Sequence, residues 1–71
     1  MRLTNLNEGC SGIIRDVKLS GAIRRRLYDL GLIKGTKVSC VIKSPNGNPI
    51  AYNIRGAIIA LRNSDTDKIF I

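Results

Sequence analysis

Few side chains in this sequence are of types that carry out chemistry, and their spacing excludes most reactions. Histidine is absent, which removes the commonest general base and the commonest metal ligand. Only five carboxylates are present. The closest pair, Asp65-x-Asp67, is typical of residues that cap a turn, and the glycine and glutamate of a calcium loop do not follow it. We therefore predict no catalytic residue and no enzymatic activity.

The two cysteines, Cys10 and Cys40, are thirty positions apart in the sequence. A zinc site would need about four ligands, so we predict no metal site and no cofactor. In a predicted strand over 36–43, Cys40 shares a face with Val38 and Ile42, which indicates a buried thiol. Cys10 lies in a Gly/Ser-rich segment, and we expect it to be exposed and, like Cys40, reduced.

Positive charge is the main chemical property of this sequence. The net charge is +7 and the densest cluster is Arg24-Arg25-Arg26. Such a surface attracts nucleic acid, an acidic protein face or anionic lipid, and charge alone does not choose among them. A guanidinium offers a fork to carboxylate or phosphate.

Helical spacing separates the apolar and polar residues around this cluster. Ile23, Leu27 and Leu30 fall on one arc, which should face a core. Outside that arc lie the residues that we predict to bind a partner, Arg24, Arg25 and Tyr28, because an exposed tyrosine among arginines is a good interface anchor. We add Lys34 and Arg55, outside the helix, to the partner-binding set.

Short alternating segments surround this helix. The pattern predicts a first strand over 13–17 and a helix over 21–30, with Ser20 as N-cap and Gly31 in a left-handed conformation after its end. Ile14 should point inward, and a second strand covers 36–43.

The second half of the sequence reads as a series of small strands. Asn46-Gly47 predicts a type I′ turn, and the strand 50–55 places Ile50, Tyr52 and Ile54 on one face. We expect a bulge or bend at Gly56, a strand covered on both faces at 57–62, and a last strand at 69–71. These elements predict a mainly β fold: a five-stranded small barrel with one short α-helix inserted after the first strand.

The ordered strings RRLYDLGLIKGTKV, NPI and IRGAIIALR resemble the ferrous iron transport protein A family. The resemblance extends from LTNLNEGCSGIIRDV to the closing KIFI. It implies an SH3-like barrel and an accessory, regulatory role in ferrous iron uptake, with docking on the cytoplasmic domain of the membrane ferrous-iron permease. Association with a transition metal is implied by the family alone; we expect any iron chemistry to take place in the partner.

Length and hydropathy predict one domain over 1–71. The N-terminus has no apolar segment typical of a signal peptide, and the run 57–61 is far shorter than the ~20 residues that span a bilayer. We expect a cytoplasmic protein, and docking on a permease would recruit it to the inner face of the membrane.

Two other function classes remain open from the residues. The charge suits a nucleic-acid-binding small barrel, such as a stand-alone relative of the C-terminal domains of iron-dependent repressors, and a third reading is an SH3-like module for peptides. The sequence has only three aromatic residues, whereas single-strand binders and proline-peptide grooves rely on several exposed aromatics. Nucleic acid is therefore not the expected partner. The docking face, activation or inhibition of transport, and the oligomeric state stay open.

Overall fold

The computed structural model describes all 71 residues. Its elements, in chain order, are a 3₁₀ turn (Leu3–Asn5), β1 (Ser11–Ile13), β2 (Asp16–Val17), α1 (Gly21–Asp29), β3 (Lys37–Lys43), β4 (Ile50–Ile54), β5 (Ala57–Leu61), α2 (Asn63–Thr66) and β6 (Ile69–Phe70). The mainly β architecture with one helix of more than two turns was predicted from the sequence. The four-residue helix α2 occupies a segment for which only a polar turn was expected.

Two antiparallel sheets form the fold. The larger has the order β1-β3-β4-β5, and the smaller consists of β2 and β6. The predicted strand 13–17 is interrupted: Ile13 ends β1, which pairs with β3, and Asp16 and Val17 form β2, which pairs with β6. The structure therefore has six strands where five were predicted. One bent segment thus contributes to both sheets and holds them around a common core. No helix of the structure is long and apolar enough to cross a membrane.

The ends of α1 are built differently from each other. Ser20 occupies the N-cap position with extended backbone angles, but its side chain makes no capping hydrogen bond. At the other end, Gly31 has φ +99°. The amide of Gly31 donates to the Tyr28 carbonyl (2.9 Å) and that of Leu32 to the Leu27 carbonyl (2.9 Å), which is a Schellman motif. The left-handed glycine expected after the helix is therefore confirmed.

The core lies between the two sheets and the helix. Tyr52, Leu3 and Leu32 are fully buried. Leu27 is the deepest residue of α1, and Ile23 and Leu30 pack on the core while partly exposed. The other buried apolar residues are Leu6, Ile14, Val17, Leu19, Val38, Cys40, Ile50, Ile54, Leu61 and Ile69.

Two side chains in the β strands are exposed where the sequence predicted that they would be buried. Ile42, expected to share the buried face of Val38 and Cys40, is 59% exposed. The register of β3 shifts between Cys40 and Ile42, and this bulge turns Ile42 to the outer face. The strand 57–62, expected to be covered on both sides, exposes Ile58 by 60%, because Ile58 pairs with the exposed Asn53 and lies on the outer face of the sheet.

The type I′ turn also lies at a different position from the one predicted. A tight turn with positive φ at both central residues occurs at Arg55 (52°) and Gly56 (86°), between the paired residues Ile54 and Ala57. This is the type I′ signature. At 44–49 only Gly47 has positive φ, so the type I′ turn predicted there is wrong. Gly56, expected at a bulge or bend, is the second residue of this hairpin turn, so the chain bends there without a bulge.

A polar seam joins the two ends of the chain beside the core. Thr4 Oγ1 donates to Asp67 Oδ1 (2.6 Å) and lies 2.6 Å from Thr66 Oγ1. Because the single proton of Thr4 points to the carboxylate, Thr66 donates to Thr4. Tyr52 Oη donates to the Leu3 carbonyl at 3.4 Å, which gives this fully buried phenol a partner.

Candidate functional site

The exposed side of α1 presents a preformed aromatic and basic pair. Arg24 Nη2 donates to Tyr28 Oη at 2.8 Å, and the guanidinium carbon lies 4.9 Å from the centre of the tyrosine ring. One turn of helix separates the two residues, so α1 itself sets this geometry. A cation–π contact at an exposed site contributes about 0.5–1 kcal/mol, and here it orders a side chain that would otherwise be mobile.

Arg25 completes this surface, which we call the helix face and define by Arg24, Arg25 and Tyr28. All three are exposed, with Tyr28 at 40%. They line a shallow open depression together with Asp29 and the small residues at the start of α1. The helix face is therefore of mixed polarity, with one carboxylate, two guanidinium groups and an aromatic ring.

The other two residues predicted for partner binding lie elsewhere. Lys34 and Arg55 line an open cleft of about 570 Å³, together with Lys37, Ser39 and Asn53. We call these five residues the basic cleft. The structure thus divides the predicted set into three residues on the helix face and two in the basic cleft, and it adds Lys37, which sequence reasoning missed.

Strand alternation explains why these residues meet. Ser39 lies opposite Asn53 in the register of β3 and β4, and the neighbouring pair Val38 and Ile54 is buried. Because successive side chains point to opposite faces, Ser39 and Asn53 belong to the outer face, as does the exposed Lys37, two residues before Ser39. The alternation of 36–43 was visible in the sequence and is the signal that could have placed Lys37 there.

Arg55 enters this cleft from a strained position. It is the only non-glycine residue with positive φ in the chain, a conformation that costs about 1 kcal/mol or more for a residue of this type. Its side chain lies against the backbone of Gly31: a Cβ at position 31 would be 2.8 Å from Cδ and 3.2 Å from Nε of Arg55. The end of α1 and the β4–β5 turn therefore hold the Arg55 stem between them.

The two cysteines differ in environment as expected, but they are neighbours. Cys10 is exposed and Cys40 is buried, while the Cys40 amide donates to the Cys10 carbonyl at 3.0 Å. Burial raises the pKa of the Cys40 thiol, against the opposing effect of nearby Lys43. No three His, Cys, Asp or Glu side chains are grouped so as to hold a metal ion.

Comparison with known proteins places these features in a family. A family model described as the FeoA domain matches residues 1–71. A curated relative, the Fe(2+) transport protein A/Fe(2+) transporter FeoB fusion protein of Porphyromonas gingivalis, is 32% identical over 69 residues. The match covers 97% of this chain and 8% of the relative, so the chain spans a small part of that protein.

Solved structures agree with the fold. The solution structure of the FeoA protein from Chlorobium tepidum has a TM-score of 0.93 and 34% identity, covering 99% of this chain and 67% of that one. Stenotrophomonas maltophilia FeoA, crystallised with zinc and described as a procaryotic SH3 domain protein, has a TM-score of 0.86 and 32% identity. That match covers 99% of this chain and 87% of the other. The expected SH3-like fold is thereby confirmed.

Proposed function

This chain belongs to the FeoA domain family, and we propose that it is a non-enzymatic accessory protein of ferrous iron transport that docks on the cytoplasmic domain of the ferrous-iron permease. The observation that carries the proposal is the Porphyromonas gingivalis relative, in which a segment similar to this chain shares one polypeptide with a FeoB transporter. Fusion keeps two parts at a high effective concentration, which is of use when they act on each other.

The helix face supports docking by its chemistry. An aromatic anchor with guanidinium groups at its rim is the residue combination most enriched among interface hot spots. The hydrogen bond of 2.8 Å between Arg24 and Tyr28 orders the anchor before a partner arrives, which lowers the entropic cost of binding. The surface fits an acidic or mixed patch on the partner.

This role places the chain at the cytoplasmic side of the membrane, bound to a protein rather than inserted in lipid. The net charge of +7 would favour encounter with an acidic domain surface through long-range attraction. Ferrous iron is the cargo of the permease, and no step of this proposal requires the chain to bind it. The zinc of the Stenotrophomonas maltophilia complex is a property of that protein.

The proposal is tested by titrating the purified permease with the parent chain and variants of the helix face. We expect Tyr28→Ala to weaken binding by about thirty-fold, since a truncated aromatic hot spot costs about 2 kcal/mol. Arg25→Glu should mainly slow association, and this effect should become larger as the salt concentration is lowered. Arg25→Glu should leave the melting temperature almost unchanged, because Arg25 is exposed. Tyr28→Ala should lower it by only a few degrees, because it removes the contact with Arg24.

The matched control is Lys68→Glu, a charge reversal at an exposed residue that lines neither the helix face nor the basic cleft. It produces the same change in net charge as Arg25→Glu. Equal weakening by both reversals would show that only the overall charge matters. Affinity that is unchanged in Tyr28→Ala and Arg25→Glu would exclude the helix face as the docking surface, and an absence of binding by the parent would contradict the proposed function.

A further inference from the structure

The basic cleft combines three cations without a compensating carboxylate. Lys34, Lys37 and Arg55 line it, and none of its lining residues is acidic. All three side chains are exposed, and they reach the cleft from different parts of the chain: the loop after α1, β3, and the β4–β5 turn. Three like charges gathered in one concave surface repel each other, and an anion bound between them relieves that repulsion.

The neutral polar groups of the cleft also present donors. Asn53 Oδ1 accepts from the Gly56 amide at 3.0 Å, so the side-chain NH₂ of Asn53 is left to donate. Ser39 Oγ is paired with Ser11 Oγ at 2.8 Å. Either hydroxyl can be the donor of this bond, and when Ser11 donates, the proton of Ser39 is available to the cleft. The cleft therefore offers donors from cationic and neutral groups alike.

Arg55 is built into this position at a conformational cost. Its positive φ of 52° occupies a turn position that asparagine or glycine would fill with less strain. Gly31 leaves room for the Arg55 stem, since a Cβ there would approach Cδ to 2.8 Å. A strained arginine whose stem is held by a glycine indicates that the guanidinium is positioned for a purpose that the turn itself does not require.

We propose that the basic cleft is a binding site for a phosphate group that carries two or more negative charges. A single carboxylate would leave most of the three positive charges uncompensated, whereas a diphosphate or a phosphate dianion matches them. The arginine fork pairs with two phosphate oxygens, and the lysines act as point charges beside it. This site is separate from the helix face and does not depend on the proposed docking on the permease.

The same phosphate chemistry can come from a free phosphate compound or from a lipid headgroup. The experiment therefore has two arms. In the first, the full chain is titrated with sodium pyrophosphate in low salt, and binding is followed by amide chemical shifts. In the second, the chain is mixed with vesicles of phosphatidic acid and phosphatidylcholine, because the phosphate monoester of phosphatidic acid can carry two negative charges. Binding is followed by co-flotation.

We expect saturable binding of pyrophosphate, with shifts confined to residues 33–39 and 53–56. Lys37→Gln and Arg55→Asn should each weaken it by about ten-fold or more, because each removes a charge-assisted contact. The control Lys68→Gln removes the same charge outside the cleft and should weaken binding less than about two-fold. Arg55→Asn should also raise or preserve the melting temperature, since asparagine suits the turn.

The outcomes distinguish a free phosphate compound from a lipid headgroup, and both from a cleft that binds no phosphate. Binding to pyrophosphate and not to vesicles would indicate a free phosphate compound, and vesicle binding abolished by Lys37→Gln would indicate a headgroup. The proposal is overturned by an absence of saturable binding in both arms, or by equal losses in Lys37→Gln and Lys68→Gln, which would indicate attraction by net charge alone. Lys37→Gln changes an exposed side chain, so the test does not depend on how Arg55→Asn folds. Failure of permease binding would leave this result unaffected.

Discussion

The helix face and the basic cleft are both positively charged, yet they are organised in opposite ways. On the helix face, Arg24 is bonded to Tyr28 at 2.8 Å and Asp29 lies in the same depression. In the basic cleft, Lys34, Lys37 and Arg55 have no acidic neighbour among the lining residues. The first surface therefore includes a carboxylate and a tyrosine hydroxyl beside its cations, and the second has no carboxylate.

This difference suits different partners. A surface with a ring, two guanidinium groups and a carboxylate can cover a broad protein patch of mixed polarity. The apolar contact of Tyr28 would contribute most of the affinity, and the charges would raise the association rate. A group of donors without carboxylates suits a compact anion. Positive charge by itself therefore says little about the partner of a basic protein; the groups that lie beside the cations matter more.

The first prediction concerns the glycines at the two ends of α1. Gly31→Ala should lower the free energy of unfolding by about 2 kcal/mol, because it adds positive-φ strain and displaces the flexible Arg55 side chain. Gly21→Ala carries similar strain, at φ +70°, but nothing lies within 4 Å of its added Cβ. It should cost about 1 kcal/mol. Urea unfolding of both variants measures the difference.

The double variant Gly31→Ala/Arg55→Ala gives the control for this pair. Removing the Arg55 side chain should restore the part of the free energy of unfolding that is lost to the contact with it. The part lost to positive-φ strain should remain, so the effects of the two substitutions should not be additive. If Gly31→Ala were no worse than Gly21→Ala, Arg55 would not be held against the helix end. The position of Arg55 in the basic cleft, on which the comparison with the helix face depends, would then have no structural support.

A second prediction concerns the phenol of Tyr52, which is buried in the core beneath both surfaces. Burial raises the pKa of Tyr52 to about 12, above the value of about 10 in an unfolded chain. The folded state therefore holds this proton more tightly, and the resulting stability is complete below pH ~10 and lost as the pH rises to ~12. The loss should be roughly 3 kcal/mol. Alkaline titration of Tyr28→Phe, followed by tyrosinate absorbance, isolates Tyr52 as the single remaining tyrosine.

Tyr28→Phe also sharpens the comparison itself, because it removes the hydroxyl that Arg24 contacts and leaves the ring. Its melting temperature at neutral pH should match that of the parent, since Tyr28 is exposed. Ionisation of Tyr52 near pH 10 in the folded variant would contradict the prediction, and it would mean that the phenol is not sealed in the core.

The smallest effect expected is a difference in salt dependence. Raising sodium chloride from about 0.05 to 0.5 M shortens the screening length several-fold. Pyrophosphate binding in the basic cleft should then weaken by about ten-fold or more, because its main contacts are between opposite charges. Binding of the permease to the helix face should weaken only a few-fold, since Tyr28 contributes contact that salt does not screen. Isothermal titrations at both salt concentrations make the measurement; equal slopes would remove the distinction between the surfaces.

The sequence by itself determined the elements that local chemistry controls. The spacing of Ile23, Leu27 and Leu30 and the glycine at 31 predicted α1 and its end, because the helical repeat and the left-handed cap depend on neighbouring residues only. The alternation of Ile50, Tyr52 and Ile54 predicted a strand with one buried face, and all three are buried. The helix face followed directly, since Arg24 and Tyr28 are one turn apart.

Tertiary structure alone decided which strands are covered, where the tight turn falls and which distant residues meet. The bulge that exposes Ile42 depends on the pairing of β3 with β4, and the exposure of Ile58 depends on the register that places it opposite Asn53 on the outer face. Asn46-Gly47 has the better turn sequence, yet the register of β4 and β5 places the type I′ turn at Arg55. The basic cleft joins Lys34, Lys37 and Arg55 from separate segments, and contact between residues far apart in sequence is set by packing and strand register, which no local pattern encodes.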